Sequence, residues 1–116
     1  MSASVTLKPA DVAQGQLDAY NARDLDAFCG FYAEDVVIAE LNGPVTERGR
    51  GALRERYARL FAENPDNRAE LVGRIAVGGR VIDHERVFRG PAAAPFEVAA
   101  IYTIADGKIA RVDFVK

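Results

Sequence analysis

From Pro9 to Arg23 the residues Ala13, Leu17 and Tyr20 recur at i, i+4 and i+7, with Val12 and Gln16 alongside. That spacing predicts an amphipathic helix, with Pro9 suited to its first turn and Gly15 weakening it. Asp24 is placed to cap a second short helix, where Leu25, Phe28, Cys29 and Tyr32 fall at i, i+3, i+4 and i+7. Residues 36–41, Val-Val-Ile-Ala-Glu-Leu, read as a buried strand ended by Asn42-Gly43-Pro44. A third helix follows Gly49 and Gly51, with Leu53, Tyr57, Leu60 and Phe61 on one face, and Asn64-Pro65 stops it. The period then changes to strands over residues 69–77, 80–89, 96–104 and 108–115. Gly78-Gly79, a loop over residues 90–95 and the hairpin signal Asp106-Gly107 separate them.

Helices first and strands afterwards predict an α+β domain, with three N-terminal helices covering one face of an antiparallel sheet. Strands this long should twist and curve around the helices, giving a cone with an interior.

The 116 residues match one domain, residues 1–116, and 49% hydrophobic with 28% charged residues is a globular composition. A net charge of -2 supplies no basic face for phosphate, so nucleic acid is not the expected partner. No apolar run approaches the length needed to cross a bilayer, and Met1-Ser2-Ala3-Ser4-Val5 lacks the character of a signal peptide. The single Cys29 cannot form an intramolecular disulfide, so a cytoplasmic protein is expected. One His and one Cys make a conventional zinc site a poor fit, and no cofactor is expected.

Four stretches carry a family resemblance: Asn21-Ala22-Arg23-Asp24-Leu25-Asp26, Phe31-Tyr32-Ala33-Glu34-Asp35-Val36, residues 51–57, and Ala105-Asp106-Gly107-Lys108-Ile109. Over nearly the whole length the chain resembles the SnoaL-like and ketosteroid-isomerase-like families of the nuclear transport factor 2-like superfamily. The resemblance implies the cone-shaped fold and a pocket for a small apolar carbonyl compound of steroid, polyketide or terpenoid type. It also implies a homodimer through the outer sheet face, including Val81, Val87, Arg111 and Asp113. It says less about activity, because the fold hosts isomerases, cyclases, dehydratases, epoxide hydrolases and carriers.

Glu40 is the one charge in an apolar strand, on the face of Val36 and Ile38. By resemblance it lies where ketosteroid isomerases place their general base, and burial would raise its pKa as it tunes carboxyls in those enzymes. The competing reading puts it at the rim, paired with Arg48 or Arg50. His84 is the only histidine, and strand alternation groups it with Ile82, Arg86 and Phe88, away from Asp83 and Glu85. By resemblance that face lines the cavity, where His84 would move protons or orient a carbonyl and Arg86 would contact ligand. Tyr57 and Tyr32 match positions of hydrogen-bonding tyrosines, so Tyr57 joins the catalytic candidates and Tyr32 the ligand-binding ones. The helical arginines Arg54, Arg56 and Arg59 read as a mostly solvated face.

Two departures count against steroid isomerisation. Gln16 stands where the family's oxyanion-binding tyrosine is expected, and Val98-Ala99-Ala100 lacks the protonated aspartate. Each missing donor is worth roughly 3 kcal/mol of transition-state stabilisation, and Gln16 substitutes with one hydrogen bond. The sequence therefore points to cofactor-free proton transfer of isomerase or cyclase type, or else to a binding or dimeric structural module.

Overall fold

The structure, a computed structural model, describes residues 8–116. The stretch from Met1 to Val5, read above against a signal peptide, lies outside the described residues.

Helix α1 spans Pro9–Ala22, α2 Leu25–Gly30 and α3 Arg50–Glu63. Asp24 caps α2 as expected, its Oδ1 accepting from Ala27 N at 3.1 Å. The strands are β1 Tyr32–Glu40, β2 Val45–Arg48, β3 Arg68–Val77, β4 Arg80–Phe88, β5 Phe96–Ala105 and β6 Lys108–Val115.

They form one open sheet in the order β2-β1-β6-β5-β4-β3. Strands β3 to β6 make an antiparallel meander, but β1 runs parallel to β6, so the sheet is mixed rather than wholly antiparallel. Asn42-Gly43-Pro44 does not merely end a strand; it turns the chain into β2, which pairs back on β1. Tyr32 opens β1 rather than closing α2, because the helix stops at Gly30. Asp106 and Gly107, with φ of 53° and 74°, make the tight turn between β5 and β6 that the sequence signals. Register shifts between Leu71 and Gly73 and between Thr103 and Ile104 interrupt the ladders, as bulges do where a sheet bends.

Val12 and Ala13 of α1, Phe28 of α2 and Leu53 of α3 pack on Val36, Val81, Ile109 and Val112 of the sheet. Gly15 has a positive role here: a Cβ on it would stand 2.5 Å from the Phe31 ring, so its bareness lets α1 lie against that side chain. No helix among the described residues is long and apolar enough to cross a membrane.

Candidate active site

The inner face of β4 carries Val81, Asp83, Glu85 and Val87, all buried beneath the helices. Asp83 is fully buried and held by Arg74 of β3 through two bonds, Nε–Oδ1 at 2.6 Å and Nη2–Oδ2 at 2.9 Å. The same guanidinium donates to Gln14 Oε1 at 2.8 Å, which ties the pair to α1. Glu85, two residues on, has no such support: its Oε2 is buried without a hydrogen-bond partner among the described residues. Burial pushes the Glu85 carboxyl up to about 7, with Asp83 adding to the effect and Arg74 opposing it.

Phenols surround that carboxyl. Tyr32 donates to Gln16 Oε1 at 2.9 Å, and Gln16 Nε2 donates to the Tyr102 hydroxyl at 3.0 Å. The hydroxyl of Tyr32 is thereby committed, whereas that of Tyr102 accepts and keeps its own proton to give. Tyr57 of α3 is buried beside them, its ring 4.6 Å from Phe28, centroid to centroid. Burial raises the pKa of Tyr57 to about 12 and those of Tyr32 and Tyr102 well above the ordinary phenol value, with Glu85 contributing to each. These phenols therefore stay protonated at neutral pH and act as donors, while the group poised to take a proton is Glu85.

Glu85, Gln16, Tyr32, Tyr57 and Tyr102 line a common cavity of ≈ 60 Å³. That space admits a few waters or the reacting end of a ligand. Phe96 and Lys116, both exposed, lie among its outer walls, with Arg89 and Arg56 also lining it.

The structure brings together the candidates on the helices and Tyr32, and sets the remaining candidates elsewhere on the sheet. Gln16, Tyr32 and Tyr57 line one cavity. His84 and Arg86 do not: they project from the opposite face of β4, and His84 Nε2 is hydrogen-bonded there to Glu97 of β5. Glu40 is exposed at the end of β1, in a separate depression with Leu41, Gly43 and Phe114. Cross-strand register links Glu40 through Phe114, Ala100 and Asp83 to the inner face, so Glu40 and His84 lie on opposite sides of the sheet. A mechanism shared between those two is ruled out. Val81 and Val87 likewise belong to the interior, not to the outer face expected to meet a second copy. Arg56 is no solvated charge either, since it lines the cavity and pairs with Glu47.

The groups that sequence reasoning missed are Glu85, Tyr102 and Arg89. From Val81 to Phe88 both faces of the strand begin and end on apolar residues, Val81 and Val87 on one and Ile82 and Phe88 on the other, which left alternation unable to say which face is inner. A signal did exist: a two-residue turn at Gly78-Gly79 sets Arg74 opposite Asp83, marking the Asp83 face as one with its own countercharge.

An α+β domain with helices on one face of an open mixed sheet, enclosing a cavity at its core, is the architecture defined so far. The SnoaL-like domain profile matches residues 13–112, and the chain belongs to that family. Among solved structures it is similar to an uncharacterized cystatin-fold protein from Novosphingobium aromaticivorans, at 32% identity over 95% of this chain and 99% of that one, with a TM-score of 0.90. A candidate polyketide cyclase from Xanthomonas campestris shares 26% identity over 91% and 87% of the two chains, with a TM-score of 0.71. A candidate ketosteroid isomerase from Kribbella flavida, 19% identical over 91% and 75%, with a TM-score of 0.77, shows the same fold. No curated protein matches the chain.

Proposed function

We propose that this protein is a cofactor-free proton-transfer enzyme of isomerase or cyclase type, acting on a small, mostly apolar carbonyl compound, with Glu85 as its base. One observation carries the reading: a buried carboxyl without a hydrogen-bond partner faces a cavity otherwise walled by rings and phenols. With its pKa near 7, Glu85 is ionised in a substantial fraction of molecules at neutral pH and still basic enough to act. It takes a proton from the carbon beside the carbonyl, the resulting enolate oxygen accepts from Tyr102 or Tyr57, and Glu85 returns the proton at another carbon. The likeness to candidate polyketide cyclases and ketosteroid isomerases supports the substrate class. The cavity's size favours entry of the reacting end alone, with the rest of the molecule at the mouth.

Hydrogen exchange tests this without a known substrate. Aryl and cyclic ketones incubated with the protein in D₂O should gain deuterium at the α-carbon, and Glu85→Gln should slow the gain by roughly 10²-fold or more. Equal exchange by parent and variant sinks the role of Glu85. Ligand binding without exchange supports the alternative, a binding module of the same fold.

The location proposed is the cytoplasm, and the assembly a homodimer through the outer sheet face. With Val81 and Val87 inside, the surface proposed for contact comprises Ile82, which is 39% exposed, with Arg111 and Asp113. An Ile82→Glu variant that sediments as the parent does would remove that proposal.

A further inference from the structure

Arg89 directly follows β4, which ends at Phe88, and lines the same cavity as Glu85 and Val87 of that strand. Two arginines line the cavity, and they differ. Arg56 pairs with Glu47, whereas Arg89 has no carboxylate partner among the described residues. Its Nη1 donates to the Tyr20 hydroxyl at 3.1 Å and to Asn67 Oδ1 at 2.7 Å. Asn67 is fully buried and donates to Tyr20 at 2.6 Å, so the two acceptors brace each other. The Phe96 ring, also in the cavity wall, lies 5.1 Å from the guanidinium carbon. One nitrogen of Arg89 is thus anchored and its guanidinium lies over a ring, while Nε and Nη2 have no protein acceptor among the described residues. A guanidinium held this way, with two adjacent donors to spare, suits a planar carboxylate. Glu85 does not serve as that anion: the charges that bear on it are those of Asp83 and Arg74.

We infer that the ligand of this cavity is a carbonyl compound that also bears a carboxylate, with Arg89 as the residue that selects it. This rests on the proposed reading of the cavity as a carbonyl site. Glu85 and Arg89 are four positions apart along extended chain, a Cα span of about 13 Å, so side chains reaching toward each other leave a gap of one or two rings. Arg89 is then a specificity residue, and the reacting carbon lies at the other end of the molecule, beside Glu85.

The test uses two matched pairs of probes, 4-acetylbenzoate and 6-acetyl-2-naphthoate, each against its primary amide, titrated into the full chain and followed by amide NMR shifts. The acid of at least one pair should bind about tenfold or more tighter than its amide, and the preference should shrink with added salt. Arg89→Gln should abolish the preference while the amide NMR shifts of residues away from the cavity stay as in the parent, which shows that the chain is still folded; Arg89→Lys should keep part of the preference. Equal binding of acid and amide by the parent overturns the carboxylate inference while leaving the carbonyl site standing. A preference that survives Arg89→Gln overturns the role of Arg89. Failure of all four probes to bind overturns the carbonyl site itself, and this inference with it.

Discussion

Asp83 and Glu85 stand two residues apart on the same buried face of β4, and only Asp83 has a partner: Arg74 holds it with two hydrogen bonds, while an oxygen of Glu85 has none. The same strand thus presents one carboxyl held by a guanidinium and one with an oxygen left unpartnered.

That contrast fixes the sign of a pH effect. The folded pKa of Glu85, about 7, lies above its ordinary value of 4.5, so the folded state binds this proton more tightly than the unfolded state does. Stability from this group is therefore full below about pH 4.5 and declines as pH rises to about 7, by about 3 kcal/mol in all. Glu85→Gln should remove the decline, so urea midpoints of parent and variant should diverge with rising pH and the variant should be the more stable at pH 8. Parallel curves from pH 4 to 8 would refute the assignment.

Asp83 and Arg74 act on Glu85 in opposite directions. Asp83→Asn should lower the Glu85 titration midpoint, and Arg74→Gln should raise it, as read by carboxyl ¹³C shifts. Each should also cost about 3 to 5 kcal/mol, because it strands one half of a buried pair.

Gln16 satisfies two buried phenols at once. Gln16→Leu should cost about 1 to 3 kcal/mol by leaving Tyr32 unsatisfied, and adding Tyr32→Phe should recover part of the loss. Thermal melts of the single and double variants check this.

Surface and rim candidates should be silent. His84→Ala, on the outer face with a half-exposed side chain, should shift stability by no more than about 0.5 kcal/mol. Neither it nor Glu40→Gln should alter ketone exchange, and a large loss in either would restore the sheet face or rim that the structure sets aside.

Gly15 supplies a packing test. Alanine there gains helix propensity of about 1 kcal/mol yet drives a Cβ into Phe31, so Gly15→Ala should lower the melting temperature in the parent. In a Phe31→Ala background the same change should raise it.

The helices were legible because their period and their punctuation agree: Pro9, Asp24 and Asn64-Pro65 bound the segments that form. The four later strands were legible for the same reason. Tyr32 was assigned to the wrong element because i+7 continues a helical stripe whether or not the backbone does, and Gly30 ended the helix first. The parallel seam between β1 and β6 depends on pairing between distant segments, which local periodicity does not record. The site was half legible. Helices show one apolar stripe, so Gln16 and Tyr57 could be placed, and Tyr32 reaches the same cavity from β1; β4 instead offers two plausible faces, and the resemblance favoured the outer one. A buried acid also breaks the rule by which inner faces are recognised, and that is how Glu85 escaped.

The place of β6 between β1 and β5 bears on how the molecule assembles. Ile38 meets Val112, so the sheet is sewn together only when a segment near the start of the fold finds the last strand in chain order. Until then the hairpin β1–β2 and the meander β3–β5 each keep an open edge, and such long-range closure slows folding. Phe114 and Tyr102, which wall the cavity, sit on either side of the β5–β6 joint. The cavity wall is therefore complete only once β6 is seated between β1 and β5, and a chain lacking β6 would leave two strand edges unpaired beside an unfinished site.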